Sequence, residues 1–148
     1  MFEIRTATTE DIESIRRIYI SVVGSQANQN KSQWEQLIRA KGLLVAETNG
    51  WTVGFGGIDV NAAEQVKWLY LLPQFQGVGV GSEILRQLET IGWKMGLSSL
   101  RLHSAPEAVE FYKRHGYKPV DATEQREHDH DGVQMVKEAA FLKITDPK

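Results

Sequence analysis

The chain has no cysteine among its 148 residues. That excludes disulfides, thiolate metal sites and cysteine nucleophiles together, and it fits a protein of the cytoplasm. Long apolar runs are missing too. None approaches the ~20 residues needed to cross a bilayer. The opening Met1-Phe2-Glu3-Ile4-Arg5 has no apolar signal core, so neither a membrane nor a secretory route is expected. An excess of one charge is likewise absent. Seventeen Lys and Arg oppose nineteen Asp and Glu, for a net charge of −2, which makes nucleic acid a poor partner. What is present is an ordinary globular composition, 41% hydrophobic and 24% charged. The length predicts one domain, 1–148, that buries roughly two-thirds of its unfolded surface.

Phe2 to Ala7 reads as a short strand. Thr8-Thr9-Glu10-Asp11 opens a helix, with Thr8 as the cap and Asp11 three residues later. Ile12, Ile15, Ile18 and Val22 give that helix an apolar stripe. After a polar loop, Lys31 to Lys41 predicts a helix with Trp34, Leu37 and Ile38 on one side, ended by Gly42. Leu43 to Thr48, an Asn49-Gly50 turn and Trp51 to Val60 form a hairpin. Gln65 to Leu72 is a further strand, closed by Pro73. A glycine-rich turn, Gln76 to Ser82, leads into a helix running to about Met95, with Ile84, Leu88, Ile91 and Met95 on one face. Leu97 to Ser104 is a strand. Ser104-Ala105-Pro106-Glu107 reads as a capping box with proline in the first turn of a helix that ends at Gly116. Tyr117 to Ala122 and Val133 to Ala139 are two last strands around a polar, acidic loop.

The order is β-α-α-β-β-β-α-β-α-β-β. It predicts an α+β fold, a mixed central sheet with helices on its faces. The β-α-β unit from Gln65 to Ser104 is expected to join parallel strands by a right-handed crossover, with the other pairs antiparallel.

The turn Gln76-Gly77-Val78-Gly79-Val80-Gly81-Ser82 carries the chemistry. Glycines let a backbone approach a ligand and turn successive N–H groups inward. The helix start adds unsatisfied donors and a partial positive charge, so the segment suits an anion, most naturally phosphate. A Walker A loop needs a lysine that Gly81-Ser82 lacks. A dinucleotide fingerprint from Gly77 needs glycine at position 82, and an acid where Leu102-His103-Ser104 stands. A structural glycine turn and a coenzyme A pyrophosphate cradle remain.

Gln76-Gly77-Val78-Gly79-Val80-Gly81 matches Gln/Arg-x-x-Gly-x-Gly/Ala, and here the chain resembles the GNAT superfamily of N-acetyltransferases. The preceding Trp68-Leu69-Tyr70-Leu71-Leu72-Pro73 and the helix start Ser82-Glu83-Ile84-Leu85 look like the family's flanking elements. Ala108-Val109-Glu110-Phe111-Tyr112-Lys113-Arg114-His115-Gly116-Tyr117 resembles its second signature, Ala-x-x-Phe-Tyr-x-x-x-Gly-Phe/Tyr. The resemblance extends along the whole chain. It implies a GNAT fold, with acetyl transfer from acetyl-CoA, the co-substrate, to a primary amine on a small molecule or peptide. It also implies a cofactor lying where two central strands splay apart, and a homodimer is among the family's common states.

Carried over, the backbone N–H groups of Gln76, Gly77, Val78, Gly79, Val80, Gly81 and Ser82 would hold the pyrophosphate. The backbones of Leu69, Tyr70 and Leu71 would pair with the pantetheine arm. The Leu71 amide would face the oxyanion that develops as an amine adds to a thioester. Tyr112 matches the tyrosine that often protonates the departing thiolate; otherwise it is a core aromatic beside Phe111. Lys113 and Arg114 are candidates for outer phosphates or a solvated helix face. Glu64 is the nearest acid for a general base, and alternation would put Val66 and Trp68 on its side of the strand. A water relay, or solvent alone, would serve instead.

His128-Asp129-His130-Asp131 reads as a solvated loop or a substrate contact rather than a metal site, and no metal is expected. Glu127, Asp129 and Asp131 form an acidic rim that would attract a cationic amine. His103 reads as structural. Two other classes fit the turn: a protein that senses acyl-CoA without turnover, and a nucleotide-binding module.

Overall fold

The computed structural model describes residues 1–24, 30–120 and 132–140. Its elements are β1 (Glu3–Thr6), α1 (Ile12–Val23), α2 (Lys31–Arg39), β2 (Leu43–Thr48), β3 (Trp51–Ile58), β4 (Val66–Leu71), α3 (Val80–Lys94), β5 (Ser99–Ser104), α4 (Val109–Arg114), β6 (Lys118–Pro119) and β7 (Val133–Glu138). This is the expected order. The β2–β3 hairpin turns on Asn49 and Gly50, at φ 53° and 83°, the left-handed pair that a tight two-residue turn requires.

The strands form two sheets, β1-β2-β3-β4 and β5-β7-β6, and every described ladder is antiparallel. The parallel ladder expected between β4 and β5 does not form among the described residues. The two strands are clasped near their bases, where Gln65 Oε1 accepts from the Arg101 N–H at 2.8 Å. Beyond that point a cavity separates them.

Alternation along β2 and β3 builds a different core on each face of the first sheet. Leu44 and Ala46 pack with Ile84, Leu85 and Leu88 of α3. Leu43, Val45 and Phe55 pack with Ile15, Ile18, Trp34 and Leu37 of α1 and α2. Helices therefore cover both faces. The second core is aromatic: Trp34 meets Phe55 and Trp68 edge-on, with ring centroids 5.9 and 6.1 Å apart. Each such contact contributes about 0.5–1.5 kcal/mol beyond area burial. At the edge, Asp11 accepts from the Thr8 N–H at 2.7 Å, the Asp11 half of the predicted capping box. Arg5 grips the same carboxylate with two bonds of 2.9 and 2.8 Å and reaches Glu47 at 2.7 Å.

Four local expectations are corrected. The left-handed residue after α2 is Lys41, at φ 61°; Gly42 is needed because a Cβ there would strike the Ile58 carbonyl oxygen. Ser104 does not cap a helix: its hydroxyl donates to the Ala105 carbonyl at 2.8 Å, and Ala105 precedes a 3-10 turn, Pro106–Ala108, that leads into α4. Val22 and Met95 end their stripes at 41% and 64% exposure: Val22 borders the cavity between β4 and β5, and Met95 caps the end of α3. Finally, Trp68 pairs with Gly57 and Val66 with Ile58, which leaves Lys67 as an extra residue. This bulge reverses the alternation, so Val66 joins the α3-side core and Trp68 the opposite one.

Candidate active site

The gap between β4 and β5 opens into a cavity of about 510 Å³. Its walls are β4 from Val66 to Leu71, the glycine turn with the start of α3, the end of β5, and α4 with Phe111, Tyr112 and Arg114. Residues more than 40 positions apart in the chain thus share one enclosure.

The turn is built for close approach. Gly77 and Gly79 have φ of 81° and 93°, and a Cβ added at either would meet nothing within 4 Å. The space beside them is open. Gly79 caps α3, and the first bond of that helix runs from the Glu83 N–H to the Gly79 carbonyl at 3.1 Å. The N–H groups of Val80, Gly81 and Ser82 therefore have no partner within the helix. Val78 turns its side chain out, at 60% exposure, and Val80 turns its own into the core, so these two offer backbone only. Gly81 permits close packing: a Cβ there would lie 3.1 Å from a Leu71 methyl.

The β4 register decides which backbone groups face the cavity. The Leu72 N–H donates to the Val53 carbonyl at 2.9 Å, and Leu71 pairs with Gly54. Hydrogen-bonded and non-bonded pairs alternate in an antiparallel ladder. The peptide groups of Leu71 and Leu69 consequently point away from β3, toward the gap. Those of Tyr70 are spent on Phe55 across the ladder, so Tyr70 offers its ring and not its backbone. The Leu71 carbonyl is met by the Gln76 amide at 3.3 Å, which ties the turn to the strand end.

Tyr112 is 9% exposed and lines the cavity. Its ring packs edge-on against Phe111 and Tyr117, with centroids 5.1 and 5.7 Å away. Burial, with a smaller contribution from Tyr70, pushes its hydroxyl well above the usual phenol range. The group stays protonated across the neutral range. It would release its proton only to a base whose own affinity for protons is raised by the same burial.

The structure does not gather every candidate here. Glu64 lines a second cavity of about 530 Å³ with Arg101 and Gln134, on the far side of Lys67, and not the one that holds Tyr112. Arg114 lies on the main cavity wall. Lys113 does not; it is exposed and 3.7 Å from Glu110. Glu127, Asp129 and Asp131 lie outside the described residues, as do His128 and His130. Among the described residues no group of acidic and histidine side chains is placed to hold a metal. No described helix is long and apolar enough to cross a membrane.

Two histidines take places that the sequence reading did not assign. His103 is exposed on the cavity wall, because alternation along β5 buries Leu100 and Leu102 on the α3 side and turns His103 the other way. His115 Nε2 lies 2.8 Å from the Ser82 hydroxyl oxygen, bridging the end of α4 to the first turn of α3. Nothing local in the sequence signals that contact, since its partners are 33 residues apart.

Comparison with known proteins agrees with this arrangement. An uncharacterised N-acetyltransferase of Archaeoglobus fulgidus is 26% identical over 102 residues, covering 57% of this chain and 69% of that protein. The uncharacterised N-acetyltransferase YjcF of Bacillus subtilis is 32% identical over 68 residues, 46% of this chain and 49% of that protein, about half its length. The crystal structure of the PaiA N-acetyltransferase of Thermoplasma acidophilum, in complex with coenzyme A, matches with a TM-score of 0.76. That match has 21% identity and covers 94% of this chain and 99% of that one. Residues 7–139, nearly the whole described structure, match the acetyltransferase (GNAT) domain, and the chain belongs to that family.

Proposed function

We propose that this protein transfers an acetyl group from acetyl-CoA to a primary amine. One observation carries the reading. A single cavity joins the N–H donors of the turn from Gly77 to Ser82, the Leu71 N–H turned away from β3, and Tyr112. The residues fit coenzyme A. The open space beside Gly77 and Gly79 admits a pyrophosphate against the backbone, and the helix start favours its charge. Arg114, on the same wall, would offer its guanidinium to an outer phosphate. The unpaired edge of β4 at Leu69 and Leu71 suits the amide groups of the pantetheine arm, as an added strand would.

The chemistry follows from these positions. An amine that attacks the thioester places negative charge on its oxygen. A preorganised donor in a dry site, the Leu71 N–H, stabilises that charge with no reorganisation. As the carbon–sulfur bond breaks, Tyr112 hands its proton to the sulfur. The amine must arrive deprotonated or lose its proton on the way. With Glu64 in the neighbouring cavity, water reached through the open side of the gap takes that proton. The acidic residues Glu127, Asp129 and Asp131 would draw a cationic amine by their charge and act mainly on KM.

The test is incubation with acetyl-CoA and a panel of amines: polyamines, amino acids, peptides and aminoglycosides. Thiol release and an acceptor mass increase of one acetyl group are expected. Tight acetyl-CoA binding without thiol release from any acceptor would mark a sensor instead. ATP or NAD competing with coenzyme A at equal strength would mark a nucleotide-binding module.

A further inference from the structure

The bond between Ser82 and His115 lies at the floor of the proposed pyrophosphate cradle. Ser82 is the third residue of α3 and lines the cavity; His115 does not line it and stands behind Ser82. The geometry leaves Ser82 with one hydrogen and two possible uses for it. If the imidazole Nε2 carries no proton, it accepts from the Ser82 hydroxyl. The serine then presents only lone pairs to the cavity, and these repel a phosphate oxygen. If Nε2 carries a proton, it donates to Ser82 Oγ, and the serine hydrogen is released toward the cavity; the neutral Nε2–H tautomer and the imidazolium both do this, and only the imidazolium also sets a positive charge behind the serine.

We propose that His115 is a positioning residue for coenzyme A: protonated at Nε2, it turns Ser82 into a donor to the pyrophosphate, and binding draws a proton onto His115. This rests on the pyrophosphate reading of the turn.

The surroundings support the coupling. Phe111 of α4 stacks against the imidazole at a centroid distance of 4.7 Å and keeps it in place. Before ligand binds, burial holds His115 below the ordinary imidazole range. The charges around it act in both directions. Glu89 on α3 draws the proton in, while Lys137 on β7 and Arg114 on α4 oppose it. Lys137 is itself held to Glu89 at 3.0 Å. A pyrophosphate one hydroxyl away adds two negative charges beside His115, so the imidazolium is favoured in the complex. The sign is then fixed. The bound form has the higher pKa, so affinity rises as pH falls through the interval between the bound and free values. Below that interval both forms are charged, above it both are neutral, and affinity is flat.

The probe is dephospho-CoA, whose pyrophosphate does not titrate between pH 5.5 and 8.5. Calorimetry in buffers of different ionisation heats is expected to show uptake of a fraction of a proton near neutral pH. Affinity should rise about tenfold from pH 8.5 to 5.5, the effect of one unit of displaced pKa. His115→Gln keeps an N–H donor toward Ser82 but cannot titrate, so its affinity should be flat across this range. Ser82→Ala should weaken binding and flatten it as well. In the NMR spectrum, the imidazole resonance missing from His115→Gln should titrate at higher pH once dephospho-CoA is added. An equal pH slope in wild type and His115→Gln, with no shift of that resonance, would overturn the proposal and leave His115 as a packing residue. The cradle is checked apart from this: Gly79→Glu must weaken binding by about 100-fold or more. If it does not, the pyrophosphate reading fails first, whatever His115 does.

Discussion

Glycines in β3 and glycines in the turn before α3 do opposite work. In β3, Gly56 lies where a Cβ would come within 2.6 Å of Ile84 and 3.1 Å of Leu88, and Gly54 where it would strike a Leu71 methyl. Gly56 lacks a side chain so that α3 can close down on the sheet, and Gly54 so that the Leu71 side chain can lie across it. In the turn, a Cβ on Gly77 or Gly79 would meet nothing within 4 Å. The first group removes space from inside the protein, and the second preserves space beside the backbone. Gly50 in the hairpin and Gly96 after α3 are just as open, so openness alone marks only a turn. Gly77 and Gly79 differ in lining the cavity at a helix start, and that placement suits them to a ligand.

The largest expected effect separates chemistry from both groups. Tyr112→Phe keeps the ring packing and removes only the hydroxyl. Turnover should fall by about 10²–10⁴, the usual worth of a general acid, with coenzyme A affinity near wild type. Because burial raises the hydroxyl's pKa, the wild-type enzyme should keep the acid form of Tyr112 through alkaline pH, so an activity loss near pH 8 would belong to another group. A Tyr112→Phe enzyme with most of its kcat, in an assay where chemistry is rate-limiting, returns Tyr112 to a packing role.

Gly79→Glu tests the ligand side of the comparison. Its φ of 93° costs a non-glycine residue about 1–2 kcal/mol, and the new carboxylate occupies the proposed anion site. Coenzyme A affinity should drop by about 100-fold or more while the protein stays folded, as read by titration and circular dichroism. Unchanged affinity would remove the pyrophosphate assignment.

Gly56→Ala tests the packing side. The added methyl overpacks the α3 interface, and stability should fall by about 1–3 kcal/mol in urea unfolding, with the remaining folded protein binding coenzyme A normally. A neutral Gly56→Ala together with a destructive Gly79→Ala would reverse the comparison.

The smallest effect is a control outside both groups. Asp11 is held well below the usual carboxylate range, first by its hydrogen bonds from Arg5. Asp11→Asn should cost about 1 kcal/mol at pH 7, since Arg5 is 40% exposed and the pair is partly screened. A group with a depressed folded pKa stabilises the protein above its unfolded value and ceases to as pH falls through the folded one. The difference between wild type and Asp11→Asn should therefore shrink in acid, and a constant difference down to pH 2 would refute the ion pair's role.

Local sequence determined a large part of this molecule. The alternating runs of β2 and β3, the Asn49-Gly50 turn and the stripes of α1 and α3 follow from period and turn chemistry, which act between near neighbours. So does the element order, and so does the glycine turn ahead of a helix start. The two motifs that carry the family resemblance are also contiguous, and residues 7–139 match that family. Tertiary structure decided the rest, because it depends on pairs of residues distant in the chain. The bulge at Lys67 exists only through the register of β4 on β3, and it sends Val66 and Trp68 to opposite faces and Glu64 to a separate cavity. The same register gives the gap the peptide groups of Leu69 and Leu71 and withholds that of Tyr70. The clasp of Gln65 on Arg101 and the bond of His115 to Ser82 join segments 36 and 33 residues apart. No local pattern specifies such contacts, for their geometry is set by how two sheets and α3 pack once the chain has folded.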